Sequence, residues 1–385
     1  MPEKQVKIYF IAGEPSGDLL ASRLMRALRE KLGTRVRFYG VGGETMAEEG
    51  LTSLFDISDL SIMGFFEVFK SLPIVLKRMH QIWDDIAKVQ PDMVITVDSW
   101  SFSQRIHAGM KKRHLMMPHI HYVAPQVWAW KAKRAKTIKN WIDHLLVLLP
   151  FEKPLFTKHG MPCTYVGHSV IESGADKGQK TRFFKAHPNI NPKSFVVTVL
   201  PGSRKTELKY LLPVFEQVVL RLHKKYPSLV VVMPTVQTVA DRLKQAVKLW
   251  KVPVVIIQGR QARYDAFAAS RLAVAASGTV SLELAMARVP HLIAYKVNKL
   301  TGCLARHILK IKYVNLINIL ADKPVIPECL QENCTPDYIL AQVEKLLGPA
   351  GKKQEQHVQK ELKKLGMSTH PSQKAAQKVL EILDE

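Results

Sequence analysis

Cysteine is scarce in this 385-residue chain, and so are acidic residues. The four cysteines (Cys163, Cys303, Cys329 and Cys334) form no CxxC pair, which argues against a zinc site or a disulfide framework. Long apolar runs are missing as well. No uninterrupted stretch approaches the roughly 20 apolar residues of a membrane span, and Met1–Lys7 leads into the first strand without an apolar signal core. The expectation is a cytoplasmic protein whose membrane contact is peripheral. No DxD-type acidic pair stands out as a metal site, and no cofactor is expected. Against 56 Lys and Arg there are only 33 Asp and Glu, a formal charge of +23. Such a balance favours anionic partners, namely nucleic acid, anionic lipid surfaces or phosphorylated substrates, without choosing among them.

The length suits two domains rather than one core. The most informative stretch is 272–296. Leu272–Ala276 reads as a strand, Ser277-Gly278-Thr279 as a small polar turn, and Val280–Arg288 as a helix ended by Pro290. Leu292–Tyr295 reads as the next strand. A turn opening a helix at the carboxyl end of a parallel strand offers backbone N–H groups to an anion. Glu283, one turn further in, suits a ribose diol, and Tyr295 closes the stretch as a further candidate. The plainer reading is a capped helix with a solvated glutamate.

The same scheme recurs twice. Val6–Ile11 feeds Ala12-Gly13-Glu14-Pro15-Ser16-Gly17-Asp18, a turn that is not GxGxxG and carries two carboxylates. Glu14, Ser16 and Asp18 there point to hydroxyls or a cationic group rather than a pyrophosphate, unless Asp18 only caps the helix. Phe195–Leu200 feeds Pro201-Gly202-Ser203-Arg204, where Arg204 beside backbone donors suits a diphosphate. Between these, the strand Asp92–Val97 ends at Asp98, a candidate general base where α/β sheets place chemistry. A structural cap is the rival role. Asn318 and Gln331 are amides flanked by apolar residues.

Two segments suit a membrane surface. Residues 61–78 carry Phe65, Phe66, Val68, Phe69 and Leu72 between charged ends, with Pro73 expected to break the run. Trp128 precedes a basic stretch, Lys131, Lys133 and Arg134 onward to 139, expected as an amphipathic helix. Nucleic-acid stacking or a solvated face are the other readings of that stretch. Residues 171–193 are polar and read as a linker. The expected domains are 1–170, with a C-terminal helix about 367–385 returning to it, and 194–366. Both are α/β with repeated strand–turn–helix units.

Several motifs occur in one order. These are the Ala12–Asp18 turn, Met63-Gly64 with Glu67-Val68, and His121–Trp130. Leu149-Pro150-Phe151-Glu152, Val166-Gly167-His168, Leu200–Arg204 and Ala276–Thr279 complete the series. Together they resemble the lipid A disaccharide synthase family of GT-B glycosyltransferases, from about residue 8 to about 335. The resemblance implies two Rossmann-like domains facing a cleft, the first for the acceptor and membrane, the second for a UDP-sugar donor. It also implies inverting transfer from UDP-2,3-diacylglucosamine to 2,3-diacylglucosamine 1-phosphate, giving a β-1,6 disaccharide and UDP. The enzyme would work on the inner face of a Gram-negative-type inner membrane, touching anionic lipid, with no nucleic acid and with a second copy of the chain as a candidate partner. Asp98, Glu14, Arg204 and Asn318 match family positions, and Glu283 would hold the ribose. Whether Asp98 or Glu14 is the base stays open at this point. Where the family usually reads Asp-Ala-Pro-Asp-Phe-Asn, this chain has Asp98-Ser99-Trp100-Ser101-Phe102-Ser103. Another GT-B enzyme, such as a UDP-sugar epimerase or a lipid-linked glycosyltransferase, is the alternative, and a basic nucleic-acid- or membrane-binding protein a more distant one.

Overall fold

The computed structural model describes residues 5–60, 67–298, 311–367 and 370–384, with the side chains of 67–72 excepted. It contains two parallel six-stranded sheets. The first is built from β1 (Val6–Ala12), β2 (Val36–Val41), β3 (Met93–Val97), β4 (His119–Tyr122), β5 (His144–Val147) and β6 (Cys163–Tyr165). Its spatial order is β2-β1-β3-β4-β5-β6. The second uses β7 (Phe195–Leu200), β8 (Leu229–Pro234), β9 (Val254–Ile257), β10 (Leu272–Ala276), β11 (His291–Tyr295) and β12 (Glu328–Leu330), in the order β12-β11-β10-β7-β8-β9.

The strands are short apolar runs such as Met-Val-Ile-Thr-Val and Leu-Ala-Val-Ala-Ala, buried at every position. Helices on both faces explain why the runs do not alternate with polar residues. In each sheet the chain first builds outward in one direction and then reverses. The reversal falls between β1 and β3 in the first sheet, and between β7 and β10 in the second. Turns at such a switch point splay apart and leave a crevice at the strands' carboxyl ends.

The chain divides into two compact units, Met1–Ser169 with Ser368–Glu385, and Val170–Met367. In the first unit the helix Pro371–Asp384 buries Ala375, Ala376 and Val379 in the core that also holds Leu24 and Leu28 of the helix Pro15–Leu32. The second unit's core gathers β7, β8 and β10 around Leu211, Phe215 and Leu222 of the helix Lys205–Lys225.

Several local expectations are corrected. Residues 171–193, polar enough to read as a linker, are ordered within the second unit. The helix Lys180–Ala186 buries Phe183 there, and Arg182 pairs with Asp265 at 2.5 Å. The basic stretch after Trp130 is helical only over Arg134–Thr137, followed by a 3₁₀ turn over Ile138–Asn140. Pro73 does not break its segment. It lies inside the helix Glu67–Val89, past the first turn, so the helix continues through it at the cost of one intrahelical N–H. β12 was not expected. Its three residues pair with β11 from Ile293 to Tyr295.

Candidate functional site

In the second unit the turns after β7 and β10 meet at the switch point. Gly202, at φ 106°, carries the chain out of β7. A Cβ at that position would lie 2.2 Å from Glu207 Oε2, so both the dihedral and the space call for glycine. The Glu207 carboxylate folds back and accepts from the backbone N–H of Ser203 at 2.8 Å and of Arg204 at 3.1 Å. Two amides that the sequence offers to an anion are therefore held internally. The Arg204 guanidinium is more than half exposed and touches Glu207 only at 3.4 Å, which leaves it able to turn toward a ligand. Tyr295 stands close by. Burial raises its hydroxyl pKa, Glu207 adds to the rise, and Arg204 opposes it.

The turn after β10 is different. Ser277 N–H donates to Ala294 O at 3.1 Å. The N–H groups of Gly278, Thr279 and Val280 find no protein acceptor among the described residues. They open the helix Val280–Met286 and are available to an anion. Glu283 follows one turn on. Its Oε1 accepts from Arg263 Nη2 at 2.9 Å and from the Tyr264 hydroxyl at 3.3 Å. Burial, with Glu283 next, raises the Tyr264 hydroxyl pKa.

Gly202–Arg204, Glu207, Thr235, Arg263, Ser277–Val280 and Glu283 line one cavity of about 340 Å³, and Tyr264 and Tyr295 are not among its lining residues. Two arginines and two glutamates face it, and each arginine is paired with a glutamate. Their charges cancel. Attraction for a diphosphate therefore falls to the loosely held Arg204 and the amides after β10, while Glu283 is fixed for a pair of hydroxyls.

The first unit gathers its candidates at its own switch point. Asp98 follows β3 at φ 58°, and Ser99 comes next at φ 45°. Asp98 Oδ1 accepts from Ser99 N–H at 2.7 Å, and Oδ2 accepts from Ser16 Oγ at 3.3 Å. Glu14 Oε1 accepts from Ser99 Oγ at 2.9 Å. Glu14, Ser16 and Asp98 are thus brought together at the ends of β1 and β3.

Asp18 is not with them. It is buried, and its oxygens accept from Gly43 N, Thr45 N, Thr45 Oγ1 and Met46 N at 2.6–3.2 Å. It holds the start of the helix Glu44–Glu48 and has no oxygen facing a ligand. Asn318 is likewise spent. It is fully buried, its amide nitrogen donates to Ile326 O and Glu328 Oε1, and its oxygen accepts from Ile326 N. Gln331 Oε1 accepts from Val297 N at 3.4 Å. Asn318 and Gln331 do not line the cavity.

Of the surface candidates, Phe65 and Phe66 lie outside the described residues, as do the side chains of Val68, Phe69 and Leu72. Trp128 is half-buried, and its indole N–H donates to Glu152 at 3.2 Å. The exposed ring is Trp130, with the Lys131 ammonium at 4.4 Å and the Arg134 guanidinium at 5.3 Å. Lys133 is exposed.

Sequence reasoning missed Glu207, Arg263 and Thr235. Glu207 carries a readable signal, since Glu three residues after a helix cap is the capping-box spacing. Arg263 has none, because its partner Glu283 is twenty residues away.

The lipid-A-disaccharide synthetase family model matches residues 8–382. A lipid-A-disaccharide synthase of Rhodospirillum centenum is 47% identical over 99% of this chain and 95% of its own. Among solved structures, a UDP-GlcNAc 2-epimerase from Neisseria meningitidis bound to UDP-GlcNAc aligns with TM-score 0.65 and 14% identity, covering 98% of this chain and 99% of its own. The glycotransferase of kitacinnamycin aligns at 0.64 and 14%, covering 99% and 100%. At such identity these two structures speak to the fold alone, a pair of Rossmann-like domains.

Proposed function

The chain belongs to the lipid-A-disaccharide synthase family of glycosyltransferases, and we propose that its second unit binds the UDP of the donor while Asp98 of the first activates the acceptor. The substrates are a UDP-sugar and a sugar phosphate, and the product is the lipid A disaccharide. In this reading the donor is UDP-2,3-diacylglucosamine and the acceptor 2,3-diacylglucosamine 1-phosphate. Asp98 Oδ2 takes the proton of the acceptor 6-hydroxyl as that oxygen attacks C1 of the donor sugar. The bond from C1 to the diphosphate oxygen breaks on the opposite side, which inverts C1 and gives the β-1,6 linkage. The charge gathering on the departing UDP falls on Arg204 and the amides of Gly278, Thr279 and Val280. Glu283, held by Arg263, accepts from the ribose hydroxyls.

The observation that carries this reading is the single cavity joining Arg204, the Ser277–Thr279 turn and Glu283 at the β7–β10 switch point. Membrane contact belongs to the same proposal. No helix of the described residues is long and apolar enough to cross a membrane, while the substrates carry acyl chains. Segment 61–76 and the Trp130–Lys131–Arg134 corner suit an anionic lipid surface at its cytoplasmic side. Flotation with vesicles containing anionic lipid checks this, and binding that ignores lipid charge overturns it.

A radiolabelled transfer assay in detergent and EDTA tests the chemistry. Wild type is expected to form disaccharide and Asp98→Ala none. Robust product from Asp98→Ala moves the base to Glu14. No product from folded wild type transfers the reading to another sugar acceptor.

A further inference from the structure

We propose that Ser99 is a positioning residue that separates the roles of the two carboxylates at the first switch point, fixing Glu14 to bind an acceptor hydroxyl and leaving Asp98 to take the proton. The proposal rests on Asp98 being the base.

Ser99 has two hydrogen-bond donors, and it sends one to each carboxylate. Its N–H goes to Asp98 Oδ1 at 2.7 Å and its hydroxyl to Glu14 Oε1 at 2.9 Å. An ionised carboxylate only accepts, so both directions are fixed. The arrangement depends on an unusual backbone. Asp98 and Ser99 are consecutive non-glycine residues at positive φ, 58° and 45°, which persists only where the surroundings enforce it. Here Asp98 N–H donates to Tyr122 O at 2.9 Å, Ser103 Oγ donates to Asp98 O at 2.9 Å, and Phe102 N–H donates to Ser99 O at 2.9 Å. The turn after β1 closes on the same residue. A Cβ at Gly13 would stand 3.3 Å from both Cβ and Oγ of Ser99.

The two carboxylates are therefore not equivalent. Glu14 receives a short charge-assisted bond that orients its carboxylate and occupies Oε1. Asp98 spends Oδ1 on its own turn, and among the described residues Oδ2 meets only the Ser16 hydroxyl, at 3.3 Å. An incoming hydroxyl displaces that long contact more readily than the Ser99–Glu14 bond. An alanine at position 99 keeps the N–H to Asp98 and removes only the hold on Glu14.

The test is a double-mutant cycle between Ser99→Ala and Glu14→Ala, with Asp98→Asn alongside. Turnover is read as separate KM and kcat values for donor and acceptor. Binding is read by equilibrium dialysis of labelled sugar phosphate in detergent, so that the cycle survives a loss of turnover. Ser99→Ala is expected to raise the acceptor KM and dissociation constant roughly fivefold, the size of one hydrogen bond. kcat and donor KM should stay within about twofold. In the Glu14→Ala background the same change is expected to add less than about twofold. An equal effect in both backgrounds, or a loss confined to kcat, overturns the positioning role. Full activity in Asp98→Asn instead overturns the reading of the base, whatever the cycle shows.

Discussion

Glu207 Oε2 lies 2.8 Å from the backbone nitrogen of Ser203, inside the turn that the sequence offers as an anion site. The carboxylate also takes the Arg204 amide. A buried glutamate thus stands where a diphosphate oxygen would otherwise be held. In the proposed donor role, what this turn offers a diphosphate is then the Arg204 side chain and not its backbone.

Glu207→Ala separates the two contributions. It removes a helix-capping interaction, with an expected stability loss of about 1–2 kcal/mol. It also removes a negative charge beside Arg204 and frees the amides of Ser203 and Arg204, so UDP affinity should rise severalfold. Urea unfolding and UDP titration measure both effects. Weaker UDP binding in this variant would mean that the turn needs the Glu207 cap to keep its binding shape.

Asp18 gives a contrasting case. Its carboxylate serves four donors in the loop after β2. Asp18→Ala leaves several of these donors without an acceptor, with an expected loss on the order of 2–4 kcal/mol. Transfer activity per folded molecule, read at low temperature, should stay near wild type. A kcat collapse with an unchanged unfolding midpoint would return Asp18 to the ligand site.

How far the sequence reveals this molecule depends on how local the deciding interactions are. β7 and β10 can be placed to the residue because each is a buried parallel strand, written as a nearly unbroken apolar run between polar turns, and β2 can be placed although its Arg37 is exposed. Glu14, Asp98, Arg204 and Ser277–Thr279 fall at strand ends for the same reason. Asn318 and Asp18 resist such reading. Each looks like an exposed polar candidate, yet Asn318 is claimed by Ile326 and Glu328, and Asp18 by a loop 25 residues away. The Glu283–Arg263 pair is hidden similarly, since helix periodicity shows that each is polar and not that they meet.

Asn318 lies in a polar knot that secures the chain before β12. Glu328 accepts from Val314 N, Asn315 N and Asn318, and Asn315 donates to Ser281, which bonds His291. Asn318→Ala should therefore cost about 2–3 kcal/mol through unpaired buried groups. Asn318→Asp keeps one acceptor for Ile326 but loses both donated bonds and places a charge beside Glu328, so it is expected to be at least as damaging. Denaturant midpoints check the order. Wild-type midpoints with a large KM change would show a direct ligand contact instead.

Acid should loosen the first unit before the second. Burial lowers the pKa of His107 and His119, takes that of His121 to about 3, and takes those of His144 and His168 to about 4. In the second unit burial does the same to His291, to about 4. These folded values lie below the unfolded value of about 6.5. Between the two, the unfolded chain binds more protons, so stability rises with pH there. Their contribution is complete above about 6.5 and is lost as pH falls toward 4, at up to roughly 1.4 kcal/mol per unit for each histidine. Glu152 has the opposite sign. Burial raises its pKa to about 7, so its contribution is complete below about 4.5 and is lost as pH rises through 7. The stability of Glu152→Gln relative to wild type should therefore rise between pH 5 and pH 8, on top of a constant loss, because the amide oxygen can keep only one of the bonds that Oε2 and Oε1 accept from Leu149 N and Trp128. Tryptophan fluorescence suits the measurement, because Trp83, Trp100, Trp128, Trp130 and Trp141 lie in the first unit and Trp250 in the second. Urea midpoints followed this way should fall steadily from pH 6.5 to 4.5. A flat profile would mean that the buried histidines reach water, or find a compensating anion, before the unit unfolds.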